Sequence, residues 1–438
     1  MKKSPSVLLL FVLCPLVFAQ GNFSGPGILS TGTGGVGQRS GQDVNLRFLG
    51  NATGVYDTGL TPYAITKERT LVQPEGLYGV EVGLGGYGRH TFRRSQLGLD
   101  YSGNFRHYPS ASTYDGSNQQ LRLEYIVEKS RRLRFDFNQS AGTQNFGTAL
   151  GSSFGGGDVI VDSSSILFDN RTSYLQSSMT TRYAMTGRTT LSMGGSYYTV
   201  HRSASALVGV NGYTLQGSIE HQTSRTNKIG VAYQHTHYDF PRAFGETDIN
   251  MYMGTWSSSF GRSWTLGLSA GVFTAAVQGV QSTALDPDIA ALLGIGNLQT
   301  IFYRENIIPT GQINLMKRFR RANWNAQYNR TVTPGNGVFL TSRQETYGSG
   351  FSYTGLRRWS FSASGNVAKL SSLGLDLQPF SQISGSASIS YNLGAGFNLT
   401  AGYLRRHQDL AISTFRKDSS RTSIGIVFSP GELPISFH

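Results

Sequence analysis

From residue 43 to residue 428, apolar and polar positions alternate with a period of two, in segments of about ten residues separated by turn signals. The pattern is clearest over residues 119–138, QQLRLEYIVEKSRRLRFDFN. Leu121, Leu123, Tyr125 and Val127 fall on one face of a strand. Arg122, Glu124 and Glu128 fall on the other, with Ile126 an apolar intruder. After Lys129-Ser130-Arg131, the apolar Leu133, Phe135 and Phe137 alternate with Arg132, Arg134, Asp136 and Asn138. Successive side chains of a strand point to opposite faces, so each strand here has one apolar and one charged face. A soluble sandwich shows the same alternation, but usually on shorter strands. Segments of about ten residues suffice to cross a bilayer at a tilt of about 45°. The hairpin therefore predicts one unit of a transmembrane antiparallel barrel.

The unit recurs to the end of the chain. Predicted strands cover residues 43–54, 77–88, 95–106, 119–128, 131–141, 171–185, 188–200, 211–222, 227–239 and 249–260. They continue over 263–273, 307–317, 321–333, 343–354, 357–369, 382–393, 396–406 and 419–428. The fold class is all-β, an up-and-down β-barrel of about 18 strands, and an even number puts both ends of the barrel wall on one side. Short and long links alternate, as periplasmic turns and external loops do in such barrels. The short links are rich in arginine (Arg93-Arg94, Arg131-Arg132, Arg320-Arg321, Arg357-Arg358), and Trp264, Trp324 and Trp359 follow three of the turns. Aromatic rings at that depth form an interfacial belt, with arginines snorkelling to headgroups. The long loops are 55–76, 107–118, 142–170 and 275–306. In the last, Asp286-Pro287-Asp288 ahead of an apolar run predicts a short capped helix.

The first residues read MKKSPSVLLLFVLCPLVFAQ: Lys2 and Lys3, an apolar run over 7–13, then Val17 and Ala19 at the small-residue positions. They predict a secretory signal peptide over 1–19. Its removal takes Cys14 with it, leaving neither disulfide nor thiolate metal site. Residues 20–42 read as a flexible Gly/Ser-rich leader, 43–428 as the barrel and 429–438 as a C-terminal extension. No later segment approaches the roughly 20 apolar residues of a spanning helix. A mean hydropathy of −0.22 beside 55 Gly, 22 Tyr and 25 Phe still suits a membrane barrel, because only half of each strand must be apolar. A formal net charge of +13 raises nucleic acid as a partner, which export and the barrel pattern argue against.

Few residues suggest reaction chemistry. His235 and His237 share a strand face and could offer two imidazoles to a metal, but Ile229, Val231 and Tyr233 share it too, which places both histidines at the outer lipid interface. Asp286 and Asp288 are explained by helix capping, and no spacing singles out a Ser-His-acid set. The expectation is no catalytic centre, no cofactor and no metal. The predicted inner wall is more informative, with Arg47, Arg106, Arg122, Glu124, Arg134, Asp136, Arg182 and Glu220 facing inward. Asn323, Asn325, Gln327 and Asn329 line one further strand, and Ser384, Ser386, Ser388 and Ser390 another. About 18 strands enclose a lumen wide enough for water. Two readings stay open: a water-filled pore, or a lumen closed by pairing across the strands.

The export signal, the 18 alternating segments and the short-turn, long-loop rhythm resemble Gram-negative outer-membrane porins over residues 43–428. The resemblance implies integral outer-membrane localisation, contact with lipid and lipopolysaccharide, insertion by the barrel-assembly machinery, and passive diffusion of small hydrophilic solutes. Anions would be mildly preferred on the basic balance. Oligomeric state is left open, and no enzymatic activity is implied. In general porins the third external loop narrows the barrel; here that is 142–170, whose Asp158, Asp162 and Asp169 would face the wall arginines. Gly54-Val55-Tyr56-Asp57-Thr58 also resembles putative porins found with exopolysaccharide export, which implies a plugged structural barrel as the alternative. Ile424, Ile426 and Phe428 resemble the aromatic-ended assembly signal, with Ile435–Phe437 as the competing position.

Overall fold

The computed structural model describes residues 44–59, 64–65, 71–72, 76–144, 171–203, 207–261, 263–284, 297–335, 340–374, 379–410, 415–429 and 432–435. Eighteen long strands form the wall. The first nine are β1 (Val44–Asp57), β2 (Leu77–Thr91), β3 (Ser95–His107), β4 (Gly116–Glu128), β5 (Leu133–Gln144), β6 (Thr172–Ala184), β7 (Thr189–Arg202), β8 (Val210–Gln222) and β9 (Asn227–Phe240). The second nine are β10 (Gly245–Phe260), β11 (Trp264–Ala284), β12 (Asn297–Arg318), β13 (Ala322–Thr333), β14 (Ser342–Tyr353), β15 (Trp359–Ser372), β16 (Phe380–Gly394), β17 (Phe397–Leu410) and β18 (Phe415–Phe428). Each pairs antiparallel with the next, and β18 returns to β1 from Gly50↔Phe428 to Asp57↔Arg421, so the sheet closes on itself. Number and order of strands agree with the sequence pattern.

Closure satisfies the backbone, and the outer face satisfies the solvent. Along β2, Val80, Val82 and Leu84 are exposed while Glu81 between them is buried. Along β8 and β9, Leu215, Ile219, Ile229, Val231 and Tyr233 are exposed, while Thr236 and Tyr238 on the opposite face are buried. A wall with its apolar side chains outward is stable only where that surface meets lipid, since apolar area left in water forgoes about 25 cal/mol per Å². At the short-turn end an aromatic girdle rims this belt. Trp264 meets Trp324 edge-on with ring centroids 6.1 Å apart, Trp359 lies 4.6 Å from Tyr391, and the Lys317 ammonium sits 4.4 Å from the Trp264 ring centre.

Hydroxyls close three of the short turns in the same way. The Ser130 hydroxyl accepts the N–H groups of Arg132 and Leu133, that of Thr186 those of Arg188 and Thr189, and that of Ser224 those of Thr226 and Asn227, at 3.0–3.2 Å. A side-chain oxygen replaces a missing backbone acceptor, which is why a Ser or Thr opens each turn. The β16–β17 turn uses Gly394, Ala395 and Gly396, all at positive φ.

Three expectations are corrected. Residues 275–284 and 297–306, read as loop, continue β11 and β12, paired from Trp264↔Lys317 to Ala284↔Asn297. Their alternation is disguised by Ala, Gly and Ser, and the hairpin outruns the bilayer because its inner face finds an apolar partner. Phe273, Ala275 and Val277 are buried in one cluster with Val332 and Leu373. The helix predicted at 286–295 lies outside the described residues. Second, 429–438 is not simply an appendage: Glu432–Ile435 pairs with Val44–Arg47 of β1, one register step on from the β18 pairing. Third, the interior is not polar throughout: Tyr238, Phe240, Met251 and Phe273 are buried together on the inner face.

Pairing of β12 with β13 stops at Gly311↔Arg330, although β12 remains paired with β11 throughout. Pro309 explains the stop, because it has no N–H to offer the β13 side. Beyond this point Thr331–Gly335 is buried. The Thr341 hydroxyl lies 2.6 Å from that of Thr247 on the non-adjacent β10. A Cβ on Gly374 would meet Phe302 and Val277. The chain before β14 and after β15 therefore lies against the inner face of β10–β12.

Candidate pore wall

Strand alternation places Arg47, Arg106, Arg122, Glu124, Arg134, Asp136, Arg182 and Glu220 on the face opposite the exposed apolar belt. The register brings them together as neighbours. Arg122 stands opposite Asp100, Arg134 opposite Arg182, and Arg106 opposite Glu81. Arg134 Nε lies 2.6 Å from Asp136 Oδ1, and Arg182 reaches Asp136 Oδ2 at 3.8 Å. One carboxylate thus holds two guanidinium groups from adjoining strands, leaving a local excess of positive charge. Asp158, Asp162 and Asp169 lie outside the described residues.

The closing seam adds a second cluster. Arg421 on β18 contacts Glu81 Oε2 on β2 at 2.5 Å and Asp57 Oδ2 on β1 at 4.0 Å. Lys417 donates to the Gly59 carbonyl at 2.7 Å, and Thr58 and Ser420 are bonded across the seam. Asp57, Glu81, Arg106 and Lys417 are all buried. Asp57, Lys417 and Arg421 escape sequence reasoning, because their neighbours lie more than 300 residues away in the chain and only closure joins them. A third cluster, Arg330 and Arg343 on either side of Glu345 Oε1 at 3.3 and 3.4 Å, lies on the outer face instead, in line with the exposed Tyr347 and Phe351. Serines face serines between β15 and β16, Ser362 to Ser388 at 2.6 Å and Ser364 to Ser386 at 2.7 Å.

Towards the long-loop end, the inner face of β6–β11 is apolar. Tyr174, Tyr198, Val200, Val210, Tyr238, Phe240, Ile249, Met251 and Phe273 are buried together, joined by Val332 and Leu373. This departs from the polar inner face that strand alternation predicts, for a physical reason: residues 331–335, 340–341 and 372–374 supply the apolar surface that makes such a wall stable. The interior is thus two-sided, charged along β1–β5 and β17–β18 and apolar at the long-loop end of β6–β11, with Arg182 and Glu220 nearer the short turns. Between β3 and β4, Asp115 accepts the Tyr108 N–H at 2.7 Å and lies 2.7 Å from His107 Nδ1. These two bonds hold its carboxyl below the usual carboxylate range. Burial pushes the Tyr108 phenol up to about 12.

No family model matches the chain, and no curated protein matches its sequence. Among solved structures it is similar to OccK2 (OpdF) of Pseudomonas aeruginosa in complex with glucuronate, at 10% identity over 88% of this chain and 98% of that one, TM-score 0.44. It is likewise similar to OccAB4 of Acinetobacter baumannii, at 10% identity over 90% of this chain and 100% of that one, TM-score 0.42. The outer membrane protein OpdK of Pseudomonas aeruginosa gives 10% identity over 88% and 98%, TM-score 0.42. By its own strand pairing and its outward apolar belt, the chain is a closed 18-stranded antiparallel transmembrane β-barrel of the outer-membrane type.

Proposed function

We propose that this barrel is an outer-membrane channel that passes small hydrophilic solutes by passive diffusion and favours anions. The observation that supports it is the guanidinium surplus on the inner face, where Arg134 and Arg182 share the one carboxylate of Asp136. Fixed charges facing a narrow aqueous path raise the local concentration of the opposite ion and set selectivity. Arg47, Arg106 and Arg122 extend the same face, while Glu124 and Glu220 temper it. An export signal over 1–19 and a leader over 20–42 accord with this localisation, with lipid, lipopolysaccharide and the assembly machinery as partners. No catalytic role is assigned.

Reconstitution of the purified protein in planar bilayers tests the proposal. It expects discrete conductance steps and, under a KCl gradient, a reversal potential of the sign for chloride over potassium. An insulating barrel refutes it. A second reading, a plugged barrel serving envelope structure or polysaccharide export, draws support from the apolar cluster around Phe240, Phe273 and Val332. Conductance that appears only after residues 331–341 are shortened would favour that reading.

A further inference from the structure

On the outer face of the barrel, where the apolar belt ends, β9 and β10 bring four metal-ligating side chains together. His235 and His237 lie two apart on β9, and Glu246 and Asp248 two apart on β10, so each pair shares a face. The register sets His237 opposite Asp248 and His235 opposite Asn250. His237 Nδ1 lies 2.9 Å from Asp248 Oδ1, its Nε2 lies 3.6 Å from Glu246 Oε1, and His235 Nε2 lies 3.9 Å from Asp248 Oδ1. An imidazole gives a metal one nitrogen; with His237 Nδ1 as that atom, its 2.9 Å and the 3.9 Å of His235 Nε2 to Asp248 Oδ1 bracket the roughly 3.3 Å that separates ligands held about 2.0–2.1 Å from a tetrahedral zinc ion. Among the described residues, His237, Glu246 and Asp248 form the one group of this kind whose ligand atoms all lie within 4.8 Å.

The surroundings prepare these groups for a metal. His235 Nδ1 is 3.0 Å from Asn250 Oδ1, which also accepts the Tyr233 hydroxyl at 2.8 Å. Because Asn250 Oδ1 can only accept, the proton sits on Nδ1, and the Nε2 lone pair is left facing Asp248. A second acceptor that fixes the tautomer and the ring is the usual support of a metal-binding histidine. Tyr213 stacks on His237 at 5.2 Å and holds that ring in turn. Elsewhere on the wall, His107–Asp115 and His407–Asp418 are pairs of one histidine and one acid. Only here among the described residues do two of each converge.

We propose that His235, His237, Glu246 and Asp248 bind one divalent cation of the zinc class. Two imidazoles and two carboxylates suit borderline ions, whereas Ca²⁺ and Mg²⁺ prefer oxygen ligands alone. The bound ion neutralises both carboxylates and ties β9 to β10 at the rim. The test uses the full chain in detergent micelles, titrated with ZnCl₂ by calorimetry and with CoCl₂ by visible absorption. One high-affinity Zn²⁺ per barrel and the intense visible bands of tetrahedral Co²⁺ are expected. H237A and the near-isosteric D248N should each weaken binding by about ten-fold or more, while H407A leaves it unchanged. Heat-modifiable migration on gels verifies that each variant is folded, and D248N carries the test should H237A not fold. The proposal is overturned by absence of binding to the native barrel, by unchanged affinity in D248N, or by an equal loss in H407A.

Discussion

Replacing Arg421 by Met tests whether the seam between the first and last strands is held electrostatically. Arg421 reaches Glu81 at 2.5 Å and Asp57 at 4.0 Å, and neither acid is more than 8% exposed at its side chain. Removing the cation leaves two carboxylates facing each other with little water to solvate them. Breaking a buried pair by deleting one partner costs about 3–5 kcal/mol. Arg106 stands opposite Glu81 and offsets part of the loss, so the expected value is near the lower end, about 3 kcal/mol. The assay is reversible urea unfolding in lipid vesicles, followed by tryptophan fluorescence. The triple variant Arg421→Met, Glu81→Gln, Asp57→Asn removes both sides of the interaction and should return to within about 1 kcal/mol of the native protein. A triple variant as unstable as the single one would refute this reasoning, because the cost would then be a matter of packing.

Lipid-facing and inward positions should respond differently to charge. Val231→Lys, at a side chain 64% exposed on the outer face, should cost about 2–4 kcal/mol in the same urea assay, and Gln234→Lys on the inner face far less. Thr186→Ala removes the acceptor for two turn N–H groups and should cost about 1 kcal/mol, while Thr186→Ser keeps it. Asp115 is held below the usual carboxylate range by the Tyr108 N–H and by His107, so its contribution is complete above about pH 4 and fades as pH falls through the depressed value. Limited proteolysis of the β3–β4 loop from pH 6 to pH 3 should therefore show acid-induced opening in the native chain. In Asp115→Asn the loop should be cut readily at every pH.

Strand number and facing were legible because alternation is a local property: Leu97, Leu99 and Tyr101 declare an outward face without knowledge of any partner. Length was legible only where bilayer thickness limits the strand. Past Phe273 the wall continues because Val332 and Leu373, far along the chain, cover it, and no local pattern announces such a partner. The inner-wall arginines could be placed on a face, but not paired. That Arg134 and Arg182 share Asp136 follows from the β5–β6 register, which depends on a link whose residues 145–170 carry no alternation. His235 and His237 were visible as two imidazoles on one apolar-flanked face. Glu246 and Asp248 join them only once β9 and β10 are aligned.

The four residues Glu432–Ile435 change what it means to finish this molecule. A cylinder normally locks with one uninterrupted zipper, whereas here the last tooth-row comes in two lengths, and the lower teeth of β1 wait for the second. Cutting the polypeptide after Phe428 would strand the amides and carbonyls of Val44–Arg47 on one side, at the foot of the wall. That bare margin would invite another chain's edge, so a shortened protein should be caught as strand-sharing aggregates rather than as a slightly weaker monomer.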